Sequence, residues 1–137
     1  MTLEPNILTR LQGVFGTYPE VAAVYLFGSR ATGTARPDSD YDLAVVSMPG
    51  QQAEARRLDI LSDLARNGFE NIDLTFLDRD NPVLQHEAVR LNQIVFRRPE
   101  FDHGSFYSRV VRMYFDILPY LTIQRQALKG RLLHGAA

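Results

Sequence analysis

One stretch of 16 residues constrains the fold more than any other, because it joins two short apolar runs. These runs cover residues 21–27 and 43–46, and their β-branched and aromatic side chains predict two strands. The stretch, from Gly28 to Leu43, reads GSRATGTARPDSDYDL. It opens with a glycine and a serine and closes with two aspartates on either side of a tyrosine. The sequence therefore predicts a flexible loop with paired carboxylates at its end.

The two aspartates, Asp40 and Asp42, are expected to point the same way, because side chains alternate between the faces of a strand. Two like charges about 4 Å apart repel by roughly 4 kcal/mol at an effective dielectric constant of about 20. This repulsion is large beside a total stability of about 5–15 kcal/mol. A nearby arginine would offset it structurally. A Mg²⁺ ion would offset it and add chemistry, because Mg²⁺ binds carboxylates together with substrate phosphates.

The start of the loop predicts a phosphate site. Gly28 allows a tight turn and the close approach of a phosphate. Ser29 adds a hydroxyl group, and residues 30–32 are expected to begin a short helix, whose N-terminus attracts anions. Arg30 lies in the same loop and is a candidate contact for the phosphates. A phosphate cradle followed by paired carboxylates is what transfer of a nucleotide from a nucleoside triphosphate requires.

The spacing of these residues resembles the GSx10DxD signature of the DNA polymerase β-like nucleotidyltransferases. The fuller string resembles the minimal nucleotidyltransferase (MNT) group, which includes antitoxins encoded beside HEPN-domain toxins; the further matching residues are Ala31, Gly33, Ser39 and Leu43. The resemblance implies an α/β fold, with a small mixed sheet flanked by helices and a helical C-terminal extension.

The resemblance also assigns roles to individual residues. Residues 72–76 alternate as a strand, and Asp73 on its polar face matches the third carboxylate of the polymerase β-like fold. Asp40, Asp42 and Asp73 are thus expected to be catalytic and to hold two Mg²⁺ ions. Gly28, Ser29 and Arg30 are expected to bind the nucleotide.

The activity implied by the resemblance is protein adenylylation. ATP would be the substrate, and AMP would pass to a tyrosine of a HEPN toxin that is both acceptor and partner, in a hetero-oligomer, silencing its RNase. Two other interpretations stay open. The chain could be an inactive nucleotide-binding module that neutralises the toxin by binding alone. It could also be a small-molecule nucleotidyltransferase of the aminoglycoside-modifying kind.

Composition limits the remaining classes of protein. The 137 residues predict one domain, with a core over residues 1–118 and a C-terminal helical extension over residues 119–137. A formal net charge of −1 argues against direct nucleic-acid binding. There is no cysteine, and the sequence has no apolar run of the length of a membrane span or pattern of a signal peptide. We therefore expect no membrane association and a cytoplasmic location.

Hydrophobic periodicity predicts the other elements. Helices are expected over residues 4–16, 51–67, 81–91 and 101–133, and strands over residues 21–27, 40–46, 72–76 and 93–97. Asp80 and Asn81 should begin the third helix. In the second helix, the side chains expected to face inward are Leu58, Leu61, Leu64 and Ala65. Pro119 should end or kink the last helix, and residues 120–133 should form a partner or dimer surface.

Overall fold

The computed structural model describes residues 3–77 and 81–134, with side chains described up to residue 131. The elements follow each other in the order α1 Pro5–Phe15, β1 Val21–Phe27, α2 Ser29–Thr32, β2 Tyr41–Ser47, a 3₁₀ turn Ala53–Arg56, α3 Arg57–Arg66, β3 Ile72–Phe76, α4 Pro82–Val89, β4 Ile94–Arg97 and α5 His103–His134. These elements alternate between helix and strand, as an α/β chain requires.

The four strands form one mixed sheet in the order β3–β2–β1–β4. Strand β1 pairs antiparallel with both β2 and β4, whereas β2 pairs parallel with β3. A parallel pair needs a long crossover connection, and α3 supplies it between β2 and β3. The predicted small mixed sheet with flanking helices is confirmed.

Each face of the sheet is covered by two helices. On one face α1 and α3 bury Leu11, Phe15, Ile60 and Leu64 against Val24, Leu26 and Leu43. On the other face α4 and the first part of α5 bury Ala88, Val89, Phe106 and Val110 against Ala23, Tyr25 and Ala44. Both faces of the two central strands are therefore buried, which explains why β1 reads as a nearly continuous apolar run.

The predicted inward face of the second helix is wrong at its first and last positions, since Leu58 and Ala65 are both exposed. Leu58 is 79% exposed, whereas Ile60 and Leu64 are fully buried. The helix expected over residues 51–67 begins only at Arg57, because the preceding residues form a 3₁₀ turn. Within α3, Leu58 lies two residues before Ile60 and therefore about 200° around the helix from it, on the solvent side.

The predicted ending of the last helix at Pro119 is also wrong. Helix α5 is continuous from His103 to His134 over 32 residues, which corresponds to about 48 Å. Proline lacks the N–H that would bond the carbonyl four residues earlier. The freed carbonyl belongs to Phe115, which is 61% exposed, and Pro119 is exposed as well, so water can reach this group and the helix can continue.

The part of α5 that follows Pro119 extends beyond the body of the domain. Its apolar side chains stay largely exposed: Tyr120 is 67% exposed and Ile123 is 62% exposed.

At the start of α4, the Asn81 side chain accepts a hydrogen bond from the Leu84 amide, as predicted, while Asp80 lies outside the described residues. No helix in the described part of the chain combines the length and the apolar character of a membrane span.

Candidate active site

Two of the predicted catalytic carboxylates lie side by side on neighbouring strands. Asp42 on β2 is in register with Asp73 on the parallel strand β3. Neighbouring strands are about 4.8 Å apart, so the two side chains meet on the same face of the sheet. The two carboxyl groups are close enough to interact directly, since the charge of Asp73 raises the pKa of Asp42. Strand β3 is the edge of the sheet and Asp73 is exposed there.

The electrostatics of this pair favour a cation. Partial burial raises the pKa of Asp42 above its ordinary value, and the charge of Asp73, their shared hydrogen bond and the charge of Asp40 raise this pKa further. The carboxylate of Asp42 is therefore destabilised in the folded protein without a cation. A divalent ion with a preference for oxygen ligands fits this donor set, since carboxylate oxygens are the ligands that Mg²⁺ takes.

The backbone of Gly28 lies directly against the side chain of Asp42. It directly follows β1, in which Phe27 is paired with Asp42. Its φ of +72° lies in the left-handed region, and a Cβ built on it would fall 2.1 Å from Oδ2 of Asp42. Any side chain at this position would displace the carboxylate, so the packing requires glycine. The Asp42 carboxylate therefore lies directly against the backbone of Gly28.

The short helix α2, Ser29–Thr32, begins at this glycine, as predicted. The amides of Ala31 and Thr32 both donate to the Gly28 carbonyl, and Ser29 is partly exposed beside it. Gln93 anchors α2 to the start of β4, since its Nε2 donates to the Ala31 carbonyl at 2.7 Å. The sequence analysis missed Gln93, because 62 residues separate the two partners and no local pattern marks the contact.

Arg30 is engaged by the loop itself. Its Nη2 donates to the carbonyls of Ser39, at 2.8 Å, and Pro37, at 3.3 Å, and its Nε donates to the same Ser39 carbonyl at 3.2 Å. Its guanidinium also lies 4.0 Å from the centre of the Tyr41 ring. The contact between Arg30 and the nucleotide stays a prediction.

Asp40 is the least fixed of the three predicted carboxylates. It is exposed and directly precedes β2, close enough for its charge to act on Asp42. Within residues 3–77 and 81–134, no three histidine or acidic side chains lie close enough together to hold a metal ion. The structure thus preforms a pair of carboxylates, Asp42 and Asp73, and not the full predicted set of three. Mutual repulsion is sufficient to keep a third carboxylate outside the pair.

Comparison with known protein families identifies the class. The model of the family described as "Polymerase beta, Nucleotidyltransferase" matches residues 9–101. This range covers more than half of the chain and includes all six predicted site residues. The chain belongs to this family of nucleotidyltransferases, and the predicted superfamily is confirmed.

Individual relatives are minimal nucleotidyltransferases. The chain is 26% identical to the protein adenylyltransferase MntA of Aphanizomenon flos-aquae over 106 residues, which cover 68% of each chain. It is 26% identical to a chain of a toxin–antitoxin crystal structure with AMP-PNP, covering 96% of this chain and 99% of that chain with a TM-score of 0.66. A structure of a tri-AMPylated Shewanella oneidensis HEPN toxin with its MNT antitoxin shares the fold, at 23% identity, 93% and 94% coverage and a TM-score of 0.59.

The contact between Gly28 and Asp42 generates a first prediction. Gly28→Ala should fold, because the atom that its Cβ meets is the end of a side chain that can rotate away. It should lose about 1–3 kcal/mol of stability, because a φ of +72° with a ψ of −157° lies in a region that only glycine adopts without strain. Its nucleotidyl transfer should fall by at least about 100-fold, because displacement of a catalytic group by about 1 Å has an effect of this size.

Gly33→Ala is the matched control. Gly33 has a φ of +78°, yet nothing lies within 4 Å of the Cβ that alanine would add. Chemical denaturation should show the smaller loss of stability for Gly33→Ala, because its φ of +78° and ψ of +12° lie in the left-handed helical region. The transfer rate should fall far more for Gly28→Ala. Equal activity of the two variants would show that the close approach to Asp42 is not needed.

The raised pKa of Asp42 generates a second prediction. A folded-state pKa above the unfolded value means that the folded protein is destabilised as pH rises through this range and the group ionises. Without divalent cations, Asp42→Asn should therefore melt at a higher temperature than wild type at about pH 7, and this advantage should shrink towards about pH 4.

Asp116→Asn serves as the control, because Asp116 lies on an exposed face of α5, remote in sequence from the pair. Its melting temperature should follow that of wild type at both pH values. A melting temperature of Asp42→Asn at or below that of wild type near neutral pH would contradict the account of repulsion within the pair.

Proposed function

We propose that this protein is an antitoxin of the MNT–HEPN type that transfers AMP from ATP to a tyrosine hydroxyl of its HEPN toxin and thereby neutralises it. The observation that carries this proposal is the register of Asp42 with Asp73, next to Gly28, whose backbone lies directly against the Asp42 carboxylate. The similarity to the protein adenylyltransferase MntA and to a toxin–antitoxin structure with AMP-PNP supports both the reaction and the nucleotide. The reaction consumes ATP, so we assign it to the cytoplasm.

The phosphate end of the substrate has a place in this site. Gly28 and Ser29 would hold the β- and γ-phosphates, because the glycine permits close approach and the serine supplies a hydroxyl donor. Asp40, Asp42 and Asp73 would hold two Mg²⁺ ions. Such ions stabilise the attacking and leaving oxygens of an in-line displacement. The repulsion between Asp42 and Asp73 supports the assignment, since it is relieved when a cation is bound.

The exposed position of Asp73 suits the acceptor side of the reaction. The tyrosine oxygen forms a bond to the α-phosphorus of ATP, the bond from that phosphorus to the bridging oxygen breaks, and pyrophosphate leaves. A tyrosine hydroxyl has a pKa near 10, so a base is needed at neutral pH. A carboxylate oxygen of Asp73 would take this proton, because Asp73 lies on the edge strand where an acceptor can approach.

The end of α5 would serve as a surface for the partner. Residues 119–131 carry exposed apolar side chains, among them Tyr120, Ile123 and Leu128. The same segment carries Arg125, Lys129 and Arg131 and no acidic residue. Exposed apolar side chains rimmed by charges are typical of a protein–protein contact. We propose that this surface binds the toxin, and that residues 1–118 form the catalytic core.

The two alternatives are less well supported. A cleft of about 910 Å³ lies at the C-terminal end of β2, lined in part by Ser47, Phe101 and Arg109. Ser47 is about 16 Å along the strand from Asp42, at roughly 3.3 Å per residue, so a small acceptor bound in this cleft would not reach the carboxylates. An inactive binding module would not need an acidic pair held in register at this cost to its stability.

The chemical claim is tested by intact-mass spectrometry of the partner toxin. After incubation with this protein, ATP and Mg²⁺, the toxin should gain one or more AMP units. Asp42→Asn should abolish the increment while the complex still forms, because the amide keeps the shape of the side chain and removes a charged metal ligand. Peptide mapping should place the modification on a tyrosine.

Two outcomes would contradict this proposal. One is an unmodified toxin that is neutralised equally well by wild type and by Asp42→Asn, which would favour the binding module. The other is transfer of AMP to small molecules but not to the toxin. Omission of Mg²⁺ with EDTA present is the control for the metal, and transfer should then stop.

The proposed surface on α5 is tested by truncation after Leu118. The shortened protein should remain soluble and folded by circular dichroism, because the removed segment is mostly exposed. Its affinity for the toxin should fall, as measured by calorimetry. Ile123→Glu in the full chain should weaken binding in the same direction without loss of stability. Aggregation of the truncated protein would show that the end of α5 belongs to the core.

A further inference from the structure

One arginine connects the two ends of the loop that forms the active site. Arg30 lies in α2, directly after Ser29, where the phosphates are proposed to bind. Its guanidinium spans the loop and donates two hydrogen bonds to the Ser39 carbonyl, at 2.8 and 3.2 Å, and one to the Pro37 carbonyl, at 3.3 Å. Ser39 is the residue before Asp40. The side chain of Arg30 thus links the proposed phosphate site to the start of the acidic motif.

Tyr41 forms the second half of this link. It stands between Asp40 and Asp42, and its ring lies beneath the Arg30 guanidinium at 4.0 Å. The same ring packs edge-on against Phe69 at 5.8 Å, among the side chains between the sheet and α1 and α3. It therefore lies on the face opposite to Asp42, as the alternation of a strand requires. Arg30 contacts the residues on both sides of Asp40, through a carbonyl on one side and a ring on the other.

The loop around these contacts is ordered by its own hydrogen bonds. The Ser39 amide donates to the Arg36 carbonyl at 3.0 Å, and the Arg36 amide donates to Oγ of Ser39 at 2.8 Å. Ser39 is thus held by the turn and by Arg30 at once. The planar guanidinium is suited to this task, because it can donate in several directions in its plane and stack on an aromatic ring with its face.

We propose that Arg30 is a positioning residue, which acts with Tyr41 to hold Asp40 and Asp42 in place against the phosphate loop, and that it is not a ligand of the triphosphate. Fixed carboxylates matter because the effective concentration of a catalytic group depends on its orientation. The inference rests on the proposed nucleotidyl transfer for its kinetic test.

The decisive variants separate charge from shape. Arg30→Lys keeps the positive charge but loses the planar fork and the stacking face. Tyr41→Leu keeps an apolar side chain but removes the ring, whereas Tyr41→Phe keeps the ring. Rates of AMP transfer to the toxin are measured at varied ATP concentration. We expect Arg30→Lys and Tyr41→Leu each to lower kcat by at least about tenfold, with the KM for ATP changed by less than about threefold.

Two further results are expected from the same series. Tyr41→Phe should retain the wild-type kcat, because the ring under the guanidinium is preserved. The double variant of Arg30→Lys and Tyr41→Leu should lose less than the product of the two single losses, because both variants break the stacking of Arg30 on Tyr41. Arg66→Lys is the control: Arg66 forms an exposed ion pair with Asp63 on α3, and its replacement should change neither kcat nor KM.

The kinetic result that would overturn the proposal is the signature of a phosphate ligand. In that case, the KM for ATP would rise by more than about tenfold in Arg30→Gln and much less in Arg30→Lys, with kcat preserved. Additive losses in the double variant would also overturn it, and so would wild-type kinetics of Arg30→Lys.

A measurement without nucleotide separates this inference from the proposed function. Hydrogen–deuterium exchange of the ligand-free protein is followed in peptides that cover residues 33–41. Arg30→Lys should exchange faster there than wild type, and exchange in β1 should be unchanged. If wild type transfers no AMP, the proposed function fails, and the exchange data still decide whether Arg30 holds the loop. Unchanged exchange in this segment would overturn the proposal.

Discussion

The pairing of Asp42 with Asp73 across two parallel strands is the constraint on which the rest of the structure depends. Parallel pairing of β2 and β3 places both carboxylates at the same end of the sheet and on the same face. This arrangement is unfavourable without a cation, as the raised pKa of Asp42 shows. Gly28 has no side chain where the Asp42 carboxylate needs room, and the two covered faces of the sheet hold the strands in place. The fold therefore keeps together two charged groups that repel each other, which is useful only where a cation or a proton joins them.

Most of this site could be predicted from the sequence, because its chemistry is encoded locally. Gly28, Asp40 and Asp42 lie within one loop and its flanking strands, and the alternation of residues 72–76 indicated the polar face of Asp73. Contacts between distant segments could not be predicted. The bond from Gln93 to the carbonyl of Ala31 connects α2 with the start of β4 and has no local signature.

The errors in the fold have the same origin. Leu58 was expected to be buried because it was grouped with Leu61 and Leu64, whereas the buried stripe of α3 follows Ile60 and Leu64. Pro119 was expected to end or kink α5, and it does not end the helix, because an exposed position allows a helix to continue past a proline. Arg30 is a residue for which the sequence and the structure suggest different roles. Its sequence position predicts a contact with the phosphates, and its hydrogen bonds to the Ser39 carbonyl, which no local pattern indicates, are the basis of the positioning role that we propose.

The central claim, that the carboxylate pair is held for divalent cations, is tested most directly by counting bound ions. Electron paramagnetic resonance titration with Mn²⁺, in the presence of a non-hydrolysable ATP analogue, measures the number of ions bound per chain. The account predicts two ions for the wild-type protein and one for Asp73→Asn, in agreement with a two-metal site. The same stoichiometry for the two proteins, or binding of Mn²⁺ that does not depend on Asp73, would contradict it.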